Sequence, residues 1–120
     1  MLSIAFYVLT AAILLGLYLS LYYLGFVERR SWFLSLLHGG LAAAGLAVLF
    51  ASLGGAPRGV EYGVQSFGLI AACIALAAVF IALVFLALMM LAKTRVTWLI
   101  GLHVTVALTA YCFLLAYVVF

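Results

Sequence analysis

The chain contains two histidines, and they occupy equivalent places in an internal repeat. Residues 28–38, ERRSWFLSLLH, align without a gap on residues 93–103, KTRVTWLIGLH, at an offset of 65. Arg30 falls on Arg95, Leu34 on Leu99, Leu37 on Leu102 and His38 on His103, while Phe33 falls on Trp98 with Trp32 one place before it. Each histidine sits a short way inside a long apolar run, where an ionisable group is costly and marks a functional candidate. An imidazole there can ligate a cofactor, or it can simply hydrogen-bond a nearby carbonyl or hydroxyl such as that of Ser35 or Thr105. A matched pair points to one shared site, with a nitrogen ligand from each half.

The surroundings of the two histidines match as well. One and two turns beyond His38 on the same helical face stand Ala42 and Gly45; beyond His103, at the same spacing, stand Ala107 and Ala110. Small side chains next to paired imidazoles leave room for a planar macrocycle, and Gly39, Gly40 and Gly101 are expected to add room for close approach. Arg30 and Arg95 precede the histidines and can snorkel to the membrane surface, where arginine pairs carboxylates such as haem propionates bidentately. Non-covalent haem b fits this set, since two imidazoles fill both axial positions and suit electron transfer. The covalent haem run CxxCH is absent. Zinc or copper would need further donors; the chain has no Asp, and Glu28 and Glu61 lie near opposite faces. A chlorophyll-type pigment on each imidazole is a second candidate. A cofactor-free structural or assembly subunit is a third, because small residues in membrane helices also serve ordinary packing.

The elements that must position these residues are membrane helices. Of 120 residues, 72% are apolar and 6% charged, a balance that no soluble domain of this size could cover. Four stretches, approximately 2–26, 33–53, 66–92 and 96–120, are long enough to cross a hydrocarbon core of roughly 30 Å. The first lacks a basic n-region and a small-residue cleavage site, so it reads as a retained helix rather than a signal peptide. Very short connectors make helices one and two a hairpin, and three and four another. The stretch GGAPRGVEYG holds the only proline, Pro57, and forms the seam between repeat halves 1–53 and 66–120. The expected fold is therefore an all-α integral membrane four-helix bundle. Its two hairpins are related by a parallel pseudo-two-fold axis along the membrane normal.

Each histidine lies eight residues beyond its arginine, about 12 Å along a helix. Both imidazoles are therefore expected at one depth, with helices two and four facing each other across the axis. Four basic residues (Arg29, Arg30, Lys93 and Arg95) lie in the short connectors against Arg58 alone in the middle loop. The positive-inside rule puts the connectors in the cytoplasm and both termini outside, in what reads as a bacterial inner membrane. The net charge of +3 gives no footprint for nucleic acid. Helix three has no polar side chain between Ser66 and Lys93 except the Cys73 thiol, so it reads as scaffold facing lipid or a partner subunit. Cys73 and Cys112 read as small packing residues, and Met89 and Met90 as packing rather than ligands.

Two hairpins that each give a histidine from their second helix to one haem b resemble the membrane-anchor cytochromes of succinate dehydrogenase and fumarate reductase. More loosely, they resemble other small transmembrane b-type cytochromes. The resemblance is architectural and rests on the bundle and on His38 and His103. It implies electron exchange with quinone near the haem, and other membrane or peripheral redox subunits as partners. The chain departs from those anchors in carrying both histidines on one polypeptide and in lacking an Asp-Tyr quinone pair. Tyr18, Tyr22, Tyr23, Trp32, Trp98 and Ser31 could line a quinone pocket, although an interfacial aromatic belt accounts for the aromatics more simply. No nucleophile–base pair, paired carboxylates or nucleotide loop is present, so the chain reads as an electron-transfer subunit rather than an enzyme by itself.

Overall fold

A computed structural model describes residues 1–27, 31–94 and 96–120. Four helices follow one another: α1 (Leu2–Tyr23), α2 (Trp32–Leu53), α3 (Phe67–Leu91) and α4 (Thr97–Val119). A single 3-10 turn, Val60–Tyr62, interrupts the middle loop. All four helices are long and apolar enough to cross a membrane. None has an apolar stripe opposite a polar one; each is apolar all round, as a helix surrounded by lipid must be. With no water to bond in the bilayer core, the backbone groups there are satisfied inside the helix itself. The bundle is 48 Å long and about 22 Å wide, close to the roughly 40–45 Å of a bilayer with its headgroups. The chain is an integral membrane protein.

Local chemistry sets the helix ends. α1 stops at Tyr23, three residues before the apolar run does, because Gly25 takes a left-handed conformation (φ 86°). The Gly25 amide then donates to the Tyr22 carbonyl at 3.1 Å and the Phe26 amide to that of Leu21 at 2.9 Å, the paired bonds of a Schellman motif. Ser31 opens α2 by accepting the Leu34 amide on its hydroxyl at 3.3 Å, a standard N-cap. In the middle loop Gly59 and Gly63 are left-handed (φ 65° and 70°), and a β-carbon on Gly59 would collide with Val64 Cγ2. Val64 is buried, and Arg58 donates to the Val118 carbonyl at 3.4 Å. The loop thus folds over the end of α4 and satisfies one of its unpaired carbonyls.

α1 packs along α2 and α3 along α4; the hairpins meet through α1–α4 and, less extensively, through α2–α3. α2 and α4 are diagonal neighbours without close backbone approach. The tight core is built from Ala5, Leu46, Leu49, Ala71, Ala72 and Leu114, in the half of the bundle nearest the termini. Alanines let the backbones approach, and dispersion rather than water exclusion drives packing in lipid. Gly45 belongs to this contact: a β-carbon there would come within 2.7 Å of Leu9 Cγ. Tyr111 joins α4 to α1 by stacking on Phe6 (ring centres 5.8 Å apart) and by a 2.8 Å bond to Thr10 Oγ1. Thr10 already donates to the Phe6 carbonyl, so the phenol is the donor to Thr10. At the opposite end Tyr23 meets Phe85 edge to face at 5.3 Å, closing the axis between α1 and α3.

Several small or soft residues stand elsewhere than expected. Gly39, Gly40 and Gly101 are exposed, and a β-carbon added at any of them would meet nothing within 4 Å, so they give no room between helices. They lie on the outer surface because the inward faces of α2 and α4 are set by the histidines. Cys73 and Cys112 also face outward as free thiols instead of packing inside.

Candidate functional site

The two imidazoles meet on the bundle axis. Their ring centres are 6.2 Å apart and their planes cross at 88°. Neither uses the nearby hydroxyls: Ser35 donates to the Ser31 carbonyl and Thr105 to that of Gly101. Instead His38 Nδ1 lies 2.9 Å from the Ala12 carbonyl on α1, and His103 Nδ1 lies 2.9 Å from the Ala78 carbonyl on α3. A carbonyl can only accept, so each Nδ1 carries a proton, and in the neutral imidazole each Nε2 then keeps its lone pair. This is how metal-binding histidines are held: the far nitrogen donates to a fixed acceptor, which sets tautomer and ring orientation.

A cavity opens from the pair toward the termini, with about 590 Å³ of space free of atoms, part of it open to the outside. Its walls repeat the pseudo-symmetry. α2 supplies His38, Ala42, Leu46 and Leu49, and α4 supplies His103, Ala107, Tyr111 and Leu114 at an offset of 65. α1 supplies Leu9, Ala12 and Ile13, and α3 supplies Ala75, Ala78 and Val79 at an offset of 66. Ala71 and Ala110 complete the lining. A second cavity of about 260 Å³ touches the same two imidazoles and lies against Gly16 and Leu17 of α1 and Val104 and Leu108 of α4. Apart from the imidazoles and the Tyr111 phenol, both are apolar.

The sequence-derived site residues divide accordingly. His38, His103, Ala42, Ala107 and Ala110 come together around one cavity. Gly45 does not line it and packs on Leu9 and Val8 instead. Arg30 and Arg95 lie outside the described residues. Tyr18, Tyr22, Tyr23, Trp32, Trp98 and Ser31 line neither of the two cavities. Sequence reasoning missed α3, which is no mere scaffold: it forms one wall and supplies the Ala78 carbonyl. It also missed Gly16, whose missing β-carbon makes space for the His38 ring. A carbonyl leaves no signature in residue type, and a lone glycine in an apolar helix has many uses.

The donor set fits a bis-imidazole metal. Two metal–nitrogen bonds of about 2 Å, with about 1 Å from each nitrogen to its ring centre, place two axial imidazoles roughly 6 Å apart. The observed 6.2 Å agrees. Among the described residues no group of three or more His, Cys, Asp or Glu side chains comes together, so a bare ion would lack the donors it needs. A macrocycle brings its own four nitrogens and asks the protein for two. No protein-family model, curated protein or solved structure matches the chain.

Proposed function

We propose that this protein is a membrane electron-transfer subunit that binds one haem b between His38 and His103 and works within a larger redox complex. One observation carries the reading: two imidazoles, each tied through Nδ1, stand 6.2 Å apart at the head of a pseudo-two-fold apolar cavity. Such a haem, held by the His38 and His103 imidazoles, would supply a one-electron relay. The chain's own residues would do three things. The imidazoles bind, the Ala12 and Ala78 carbonyls orient them, and the aliphatic walls keep water away.

The purified protein is expected to show a low-spin b-type spectrum, with α and β bands sharpening on dithionite and haem released into pyridine. A chlorin spectrum would move the assignment to a pigment-binding subunit. A preparation that stays colourless through haem reconstitution would leave the imidazoles as structural ties between helices.

The basic residues of the two short connectors support an orientation with those connectors in the cytoplasm. Single cysteines placed in the 54–65 loop should react with an impermeant reagent added from outside, and cysteines at 28–30 should not. Outside labelling of 28–30 would invert the orientation.

A further inference from the structure

Resting on the haem reading, we infer that Gly16 is a positioning residue that lets the two imidazoles stand crosswise, and that this crossing sets the electronic state of the bound iron. Three observations converge. The ring planes are within 2° of perpendicular, at 88°. The Nδ1 acceptors are carbonyls of two different helices, Ala12 on α1 and Ala78 on α3, so each ring's direction is fixed by its own hairpin. And the His38 ring lies directly on Gly16: a β-carbon there would stand 2.6 Å from Cε1 and 3.1 Å from Nδ1.

A methyl group at position 16 therefore cannot coexist with the present ring position. The contact centres on Cε1 and reaches both ring nitrogens, Nδ1 at 3.1 Å and Nε2 at 3.4 Å, so the ring must turn or withdraw from the Ala12 carbonyl. His103 has no such dependence, because its acceptor lies on the other hairpin.

The electronic consequence has a definite sign. Each imidazole donates π density into the iron d orbital perpendicular to its own plane. Parallel rings load one orbital of the pair and split it; crossed rings load both and leave them nearly degenerate. Near-degeneracy gives the ferric low-spin ion a strongly anisotropic resonance with its largest g value far to low field. Since 90° is the extreme of this effect and the rings already stand at 88°, any sizeable turn of either ring reduces it.

The test is electron paramagnetic resonance of the ferric haem-loaded protein, wild type beside Gly16→Ala. The wild type should show one broad low-field feature, and the variant should shift it toward higher field while the optical spectrum stays low-spin. A three-line rhombic signal from the wild type would overturn the crossing while leaving the haem reading intact. An unshifted signal in a haem-loaded Gly16→Ala variant would overturn the role of Gly16. Failure of the wild type to bind haem would instead overturn the reading on which this rests. If the variant takes up no haem, imidazole nitrogen-15 resonances of the haem-free proteins decide. Those of His38 should move and those of His103 should stay; an unmoved His38 would refute the contact.

Discussion

Removing either imidazole is expected to abolish the six-coordinate spectrum, and His38→Ala and His103→Ala should do so alike. The two rings are matched in the features that hold them: each is half-buried, and each donates through Nδ1 to a carbonyl at 2.9 Å. Among the described residues no Cys, Asp, Glu or further His joins them to take over a lost position. Loss of a metal site's outer partner alone typically lowers affinity by about 10–100-fold, so loss of a direct ligand should exceed that. Haem content per protein, measured by pyridine extraction, should fall at least about tenfold in each variant. Cys73→Ser and Cys112→Ser should match the wild type, because both thiols face outward. If one histidine variant bleaches the protein and the other does not, the two imidazoles do not share a site.

Much of this architecture is legible in the residues, and the parts that are not have physical causes. Helix count and span follow from hydropathy because lipid tolerates only backbone that satisfies itself. The histidine pair stands out because a polar side chain in an apolar run is conspicuous. Helix ends are less legible: α1 ends at a glycine's left-handed turn, which hydropathy does not register. The repeat is visible in α2 and α4, where the histidines and leucines coincide at 65. It is hidden in α1 and α3, where the correspondence slips to 66 and pairs Leu9 with Ala75 and Ile13 with Val79. Among the cavity-lining pairs of those two helices only Ala12 and Ala78 are identical, and what they contribute is a carbonyl. Gly45 illustrates the opposite error. Its spacing from His38 matches that of Ala110 from His103, yet it sits against Leu9 and Val8, because a small residue serves a cavity or a helix contact equally well.

Leucine at Ala107 or Ala42 should expel the haem without unfolding the bundle, and this outcome separates a cofactor cavity from ordinary packing. Both alanines line the cavity one turn from the ligands. Three added carbons at either position would project into space that a macrocycle needs, and would meet its atoms wherever they do not meet each other's. In the haem-free protein the same carbons enter empty space and gain dispersion contacts. Thermal stability of the haem-free variants should thus hold or rise, while haem content drops several-fold. Ordinary packing predicts the reverse, since overfilling a close-packed contact costs about 1–3 kcal/mol. Position 75 sharpens the comparison. A scaffold role for α3 would make Ala75→Leu harmless, but Ala75 lines the same cavity wall, so it should lose haem as well. Ala77, on the exposed face of α3, is the proper control. Ala77→Leu should keep full haem content, and its side chain should merely add to the surface that faces lipid. Haem retained in all four variants would mean that the macrocycle does not occupy this cavity and that the alanines serve only to bring the helices together.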